Sequence, residues 1–570
     1  MDLPFPGPAR RHRPAALAAL ALALAACTHP PAETRPVVTT GVVAADTVRT
    51  PPGAPTVPAG ALPPPLDREF RGAWISPVEQ GEWPSRPGLP SEQQRAELTA
   101  LLDRARDVGL NAVVFHVRPG ADAMYPTSRA PWSAYLTGKL GRPPSPMYDP
   151  VAFAVSEAHQ RGLQLHAWFN PFRISPPMAA ARHTRGAIAT DHPKWVVRYG
   201  SQLWIDPGIP EARRAVLDAI LEVVDRYDID AVHLDDYFYP YLEERAIRRR
   251  VRRGRHWRRI TVHVTMRFPD EASWRKYGRA RGWTDRADWR RANIDAFVRE
   301  LYAEVKARKP WVEVGISPFG IWRPGYPAGI TGLDAYGEIF ADSRRWLREG
   351  WLDYIAPQLY WPLDGDQHRF TRLDAWWHEQ NRRGRHVWPG LFTAQAGSWG
   401  RWPPREIEAE IDTLRALRRG SGESLGHIHF RLKSLLEGAP GGVGDLLRDD
   451  AYRDAAVPPA SPWLGATAPA APALTLVTGP VTVADVLGRI EGKAPPAVDL
   501  APGDSVPVRW WVVQLRDSGG RWTTTIHPAG DTRLTLAIPG GGAPSAAAVR
   551  ALSRTGISSA PALVPLGAGP

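Results

Sequence analysis

Asp235 and Asp236 stand side by side at the end of a short apolar run, Ala231-Val-His-Leu234. Tyr237, Phe238, Tyr239, Pro240 and Tyr241 follow them. Adjacent carboxyl groups can serve as proton donor, base or nucleophile, and aromatic faces stack on the C–H face of a pyranose ring. Acids and rings delivered together by one buried strand suit an active site that handles sugar. A tyrosine-rich surface turn is the competing reading, but rings at this density are rarely left solvated without a use.

Something must hold that strand tip in place. Strand-like apolar runs occur at Arg71–Ser76, Ala112–Val117, Leu163–Phe169, Ala231–Asp235, Val312–Ser317, Tyr354–Gln358, His386–Leu391 and Gly426–Phe430. Amphipathic stretches lie between most of them: 93–107 ending at Gly109, 151–160 ending at Gly162, 211–226, 289–308 and 406–418. Eight alternations predict a (β/α)8 TIM-type barrel with its chemistry at the strand C-termini. An open doubly wound sheet is the alternative, but no glycine-rich phosphate loop follows the first run.

The residues at the strand tips agree with one another. They are Trp74, Ser76, Glu79, Glu82 and Trp83; His116, Arg118, Asp122 and Tyr125; His166, Trp168, Asn170 and Arg173; His233 with the aspartates; Ser317, Phe319 and Trp322; Gln358, Tyr360 and Trp361; Thr393, Gln395 and Trp399; and His427, His429 and Arg431. Period-two alternation puts His233 and Asp235 on one face of the fourth strand and Leu234 on the other. By the same rule His116 shares a face with Arg118, and His166 with Trp168 and Asn170.

The front of the chain says where the protein works. Arg10, Arg11 and Arg13 precede an apolar stretch, 15–26, too short to span a bilayer and of signal-peptide type. It ends Leu24-Ala-Ala-Cys27, which resembles a bacterial lipobox and makes Cys27, the one cysteine of the chain, the expected lipidation site. Residues 1–27 thus read as a lipoprotein signal and 28–66 as a Pro/Ala-rich tether. The barrel is expected over 67–455, a linker over 456–473, and a small fibronectin type III-like β-sandwich over 474–565. The expected location is the cell envelope, lipid-anchored and extracytoplasmic, and Thr28 suits outer-membrane sorting in a Gram-negative host. The charge of +12 favours anionic envelope polymers over nucleic acid, which an exported, tethered chain does not meet. A monomer without cofactor or metal is expected.

Arg71-Gly-Ala-Trp74, Phe115-His-Val-Arg-Pro119, Ala167-Trp-Phe-Asn-Pro171, His233-Leu-Asp-Asp-Tyr-Phe-Tyr-Pro240, Gly315-Ile-Ser-Pro-Phe-Gly320, Pro357-Gln-Leu-Tyr-Trp361 and Gly426-His-Ile-His-Phe430 occur in this order. Together they resemble the glycosyl hydrolase-like 10 family of bacterial lipoproteins, across about residues 67–455. The resemblance implies a TIM-type barrel and glycosidase chemistry on envelope glycan, including peptide-free peptidoglycan strands. It sets Asp235 where related barrels keep a fourth-strand nucleophile. Arg118 and His233 are expected to hold it ionised. The partner acid is open among Asp236, Asp270, Glu271, Asp364 and Glu79, and Asp270 lies in a Phe-Pro-Asp-Glu stretch resembling the family pattern.

His116, Arg118, Trp168, Asn170, Arg173, His233, Tyr237, Tyr239, Trp322, Gln358, Tyr360 and Trp361 are expected to bind substrate, with Trp399 a further stacking ring. About half of these rings should line the cleft, since a barrel with 24 tryptophans also needs some in its core. His116, His166, His233 and His427 or His429, with Asp235, form a weaker metal-binding alternative without tight ligand spacing. The chain departs from the family at 242–267, where ten arginines occur between Arg245 and Arg267. A solvated, poorly ordered insertion is favoured there over a basic flap or a misread frame. A catalytically silent glycan-binding lipoprotein and a metal-dependent deacetylase remain the functional alternatives.

Overall fold

The computed structural model describes residues 62–566 except 79–80, 175–177, 254–255, 398–399, 438–440, 478–495, 539–540, 543 and 565. The signal segment, Cys27 and nearly all of the tether lie outside the described residues, as do Glu79 and Trp399.

All eight strand-like runs form parallel strands of one closed sheet. They are β1 (Glu69–Ile75), β2 (Ala112–Arg118), β3 (Gln164–Phe169), β4 (Ala231–Leu234), β5 (Glu313–Ile316), β6 (Tyr354–Ile355), β7 (His386–Val387 and Gly390–Leu391) and β8 (Leu425–His429). The first part of β7 pairs with β6 and the second with β8, so this one strand closes the TIM-type barrel. It is split at Trp388–Pro389 because proline has no N–H for the ladder. Helices α1 (Ser91–Val108), α2 (Pro150–Gln160), α3 (Pro210–Arg226), α4 (Arg286–Arg308), α5 (Ser343–Glu349), α6 (Arg369–Gln380) and α7 (Arg405–Arg418) cover its outside. Their ends follow local chemistry. Gly109 takes φ 100° and returns its N–H to the last turn of α1, while the Asp149 side chain caps the first N–H groups of α2 ahead of Pro150.

Strand parity divides the side chains into two layers. Val113, Phe115, Leu165, Phe169, Val232, Leu234, Val314 and Ile316 face the helices. Phe70, Trp74, Val114, Trp168, Tyr354, Trp388 and Ile428 fill the barrel. Phe70 stacks on Trp388 with centroids 4.0 Å apart. Rings this large need small neighbours: a Cβ on Gly315 would lie 1.9 Å from the Tyr354 ring. A chain of polar groups threads this interior. The Trp74 Nε1 lies 3.2 Å from His233 Nε2, and the Tyr354 hydroxyl sits 2.8 Å from His233 Nδ1 and 2.9 Å from His166 Nδ1. His166 Nε2 is 3.3 Å from Gln164 Oε1.

Glu69 opens β1 and is clasped by Arg415 of α7 at 2.8 and 2.9 Å and by Arg71 at 2.7 Å. Burial alone would raise its carboxyl, but the Arg415 bond, His427 and Arg71 bring it down to about 2. A depressed carboxyl stabilises the fold above its unfolded value near 4.5, and that contribution is lost as pH falls towards 2. We expect Glu69→Gln to remove about 3 kcal/mol of pH-dependent stability, read as a flatter urea-unfolding free energy between pH 5 and pH 2.5 than in the wild type.

After the barrel come two antiparallel sheets. One orders Ala473–Val477, Ala497–Ala501 and Arg533–Thr535; the other orders Trp522–Pro528, Val508–Arg516, Ala546–Ser553 and Ala562–Val564. Val498, Leu500, Trp511, Val513, Leu534 and Val549 share a core between them. The opposite face of the larger sheet, through Trp510, Val512 and Leu552, packs with Val457 and Leu66. Arg509 reaches Asp230 at 2.7 Å and Asp228 at 3.0 Å, and Arg554 reaches Asp228 at 2.6 Å. These aspartates precede β4, so the β module sits at the base of the barrel, away from the strand tips.

The 242–267 insertion, expected to be solvated and poorly ordered, is exposed but carries regular structure over its described residues. Glu244–Arg253 and His256–Thr265 pair antiparallel through ten registered positions as a hairpin. Among the described residues no helix is long and apolar enough to cross a membrane.

Candidate active site

The aspartates sit where β4 ends, and both are buried, Asp235 at 5% and Asp236 at 3% exposure. Asp235 Oδ2 accepts hydrogen bonds from Trp168 Nε1 at 3.2 Å and Asn170 Nδ2 at 3.1 Å. Its Oδ1 accepts from the Tyr237 N–H at 3.3 Å. Asp236 Oδ2 accepts from the Tyr241 hydroxyl, and its Oδ1 accepts from Gln358 Nε2 at 3.3 Å. Gln358 is itself fixed by the Ser317 carbonyl at 3.1 Å. Strands β3, β4, β5 and the segment after β6 therefore build one carboxyl pocket.

Its electrostatics differ from the sequence expectation. Burial, then the charge of Asp236, pushes the Asp235 carboxyl up to about 7; Arg173, the Tyr237 N–H and the Trp168 N–H pull the other way. Burial also raises Asp236, against the donors Tyr241 and Gln358. The two cations expected to keep Asp235 ionised do not do so. His233 is fully buried, engaged by Trp74 and Tyr354, and its protonated form is strongly disfavoured by burial. A β-bulge between His116 and Arg118 puts Arg118 in register with outward-facing Phe169, and its guanidinium lies 3.4 Å from the Tyr125 hydroxyl. Arg173 is the cation that acts on both aspartates, and its guanidinium lies 4.9 Å from the Tyr237 ring centroid.

His116 lies alongside. Its ring stacks on Trp168 at 3.8 Å, and its Nδ1 lies 3.1 Å from Ser76 Oγ. Its Nε2 has no hydrogen-bond partner among the described residues. Behind Ser76 is Glu82, which accepts the Ser76 N–H at 2.9 Å and pairs with Arg431 at 3.1 Å. Tyr360 stacks on Phe392 at 4.7 Å beside the pocket, and Trp361 is half-buried next to Phe319.

Other expected site residues go elsewhere. Asp270 is held by Arg290 at 2.6 and 2.7 Å and by Arg286, so both its oxygens are occupied in an ion-pair cluster. Tyr239 is 1% exposed and packs against Phe268 and Phe340; it is core and not a stacking platform. Trp322 is 6% exposed, bonded to Asp342 at 3.0 Å and packed against Trp376. Glu271 and Asp364 are exposed. The histidine set does not converge: Gly426 and Ile428 face the barrel interior, so His427 and His429 point outward to the Tyr452 hydroxyl. Tyr241, Ser76 and Glu82 had no assigned role from sequence. Tyr241 was signalled by its place closing the aromatic run, whereas the other two depend on the path of a loop.

Trp168→Phe keeps the ring and removes the N–H that favours ionised Asp235. We expect the Asp235 carboxyl to titrate higher still, moving the alkaline limb of a pH–rate profile upward by about half a unit to one unit. An unmoved limb would mean that another group sets it.

The glycosyl hydrolase-like 10 family model matches residues 69–398. Glycosyl hydrolase YngK of Bacillus subtilis (strain 168) is 40% identical over 429 residues, covering 72% of this chain and 77% of that relative. Glycosyl hydrolase DigH of Escherichia coli O6:H1 is 34% identical over 446 residues, covering 72% and 92%. The PgaB (BpsB) glycoside hydrolase domain from Bordetella bronchiseptica superposes with a TM-score of 0.41 at 15% identity, covering 68% of this chain and 97% of that one. With its motifs in order around the closed barrel, the chain belongs to the glycosyl hydrolase-like 10 family.

Proposed function

We propose that this protein is a glycoside hydrolase of the cell envelope that cleaves glycosidic bonds in peptidoglycan-derived glycan, including peptide-free strands, with Asp235 and Asp236 as its working pair. The observation that carries this reading is the buried carboxyl pair at the β4 tip, one member of which titrates near neutrality. When the charge of one carboxyl raises its neighbour, the pair divides into an acid and a charged partner. Asp235, the group set near 7, is the proton donor to the glycosidic oxygen. Asp236, whose charge raises Asp235, is the charged partner that stabilises the positive charge developing at the anomeric carbon. This reverses the nucleophile role that the family resemblance suggested for Asp235.

The carboxylate whose charge weighs on Asp235 is its own neighbour, not one across the cleft. Sugars bearing a 2-acetamido group can supply their own nucleophile, the acetamido oxygen, and then need no carboxylate on the far face. N-acetylated peptidoglycan sugars meet that condition. Tyr237, Tyr360 and Trp361 offer ring faces, Asn170, Arg173 and Gln358 offer polar contacts to hydroxyls, and Trp168, buried against His116, holds Asp235 from within the barrel. His233, locked between Trp74 and Tyr354, orients the pocket from beneath. Lipid attachment at Cys27 and an extracytoplasmic location accompany this reading, on the lipobox-like sequence.

The test is incubation of purified protein with isolated sacculi, with and without stem peptides, followed by measurement of new reducing ends. Release of reducing ends supports the hydrolase. Binding without release supports a silent glycan-binding protein. Release of acetate abolished by chelator supports a deacetylase.

A further inference from the structure

We infer that the hairpin of residues 244–265 is a clamp for a carboxylate-bearing polysaccharide at the mouth of the barrel. Its root is part of the active-site rim. Tyr241, whose hydroxyl donates to Asp236, precedes it directly. The Glu243 carbonyl accepts the Met266 N–H at 2.8 Å, and the Glu243 N–H donates to the Tyr199 hydroxyl at 3.0 Å. Ten paired residues per strand make a ribbon roughly 30 Å long.

Directly opposed residues share a face. Arg248, Arg250, Arg252 and Arg259 therefore lie on one face with Trp257, and Arg245, Arg249 and Arg258 lie on the other among Ile247, Val251, Ile260, Val262 and Val264. Between Leu242 and Arg267 ten arginines face two glutamates. Among the described residues, Arg245, Arg248, Arg249, Arg250, Arg258 and Arg259 have no carboxylate partner, and Arg250 stands directly across from Arg259. Like charges directly opposed are destabilising in a bare ribbon, so an anion between them removes a cost. Guanidinium groups match carboxylates in a bidentate fork.

The remaining surface suits sugar. Trp257 is 60% exposed, and Val251, Ile260 and Val264 are about two-fifths exposed. Such groups pack on the C–H faces of pyranose rings while arginines take the acid groups. A bilayer is disfavoured as the occupant because arginines line both faces, and neither can enter an apolar layer without burying several charges. The inference deepens the proposed function and rests on it for the identity of the polymer as substrate.

The experiment measures binding of the full chain to polygalacturonate, a soluble carboxylated polysaccharide, at low and high salt, with a neutral chitin oligosaccharide as control. The variant is Arg248→Gln/Arg250→Gln/Arg259→Gln, which keeps the hairpin and its side-chain lengths. We expect at least about tenfold weaker binding of the polyanion, a shallower salt dependence and unchanged binding of the neutral sugar. Equal affinity of variant and wild type for polygalacturonate would overturn the clamp. So would tighter binding of the wild type to phosphatidylglycerol vesicles than to the polyanion, provided the variant loses the vesicles. Asp235→Asn is expected to bind polygalacturonate as wild type does. Failure of the hydrolase reading and failure of the clamp are therefore separable.

Discussion

Replacing Asp235 by asparagine is expected to lower turnover on glycan strands about a thousandfold while leaving glycan binding within a few-fold of wild type. The magnitude is that of a removed general acid, typically about 10²- to 10⁴-fold. Asparagine keeps the size and an acceptor oxygen for Trp168 and Asn170 but has no acidic proton to transfer to a leaving oxygen. In the wild type, activity should fall as pH rises through about 7, where Asp235 loses its proton. The variant should lose that limb. Stability gives an independent reading of the same group. A carboxyl raised on folding binds protons more tightly in the native state, so wild-type stability falls as pH rises from about 4 to about 7. The variant lacks this dependence, and its advantage over wild type should grow through that window and level off above it. Reducing-end assays over pH, with urea unfolding of both proteins, check the two halves. Equal turnover by both proteins would remove Asp235 from the chemistry.

The largest stability effect is expected at Asp353, at the start of β6 and far from the chemistry. Its side chain is fully buried. Oδ2 receives the Val314 N–H at 2.8 Å and Lys306 Nζ at 2.5 Å; Oδ1 receives the Tyr302 hydroxyl at 3.1 Å and Trp463 Nε1 at 2.9 Å. One carboxylate thus joins β5, α4 and the segment leading to the β module. Asp353→Ala strips a mostly buried ammonium of its carboxylate, leaving it on the Val312 carbonyl, and leaves a strand N–H unpaired, a loss of about 3–5 kcal/mol. Adding Lys306→Met to that variant should restore part of it, because the stranded charge carries most of the cost. Chemical denaturation of the wild type and of the three variants Asp353→Ala, Lys306→Met and the double mutant closes the cycle. If Lys306→Met restores nothing in the Asp353→Ala background, the lost strand and tryptophan contacts dominate instead.

The strands were legible because two-residue alternation runs along their apolar cores and because glycines such as Gly109 mark helix ends. The split in β7 could have been read from Pro389. Asp235 followed from parity, since Leu234 needs the helix side. Arg118 did not, because a bulge resets parity without a local mark. His427 and His429 point outward because Gly426 leaves room for Trp388, with its Cβ position only 2.5 Å from that ring. That crowding is a property of the assembled barrel. Tyr239 and Trp322 are rings in loops, and whether such rings meet sugar or core depends on where the loop travels. The hairpin did carry a local signal, the alternation of Ile247, Val251, Ile260, Val262 and Val264, which the density of arginine obscured.

The polar thread inside the barrel has a direction. An indole nitrogen can only donate, so Trp74 gives its proton to His233 Nε2. A neutral His233 must then carry its own proton on Nδ1 and hand it to the Tyr354 oxygen. The Tyr354 hydroxyl proton is left for His166 Nδ1, and His166 gives Nε2–H to Gln164. Five side chains thus form a one-way circuit from mouth to base, with both histidine tautomers inherited from one tryptophan. Neither histidine can reverse without turning the whole sequence over, and Asp235 is left beside an imidazole that cannot lend it a charge.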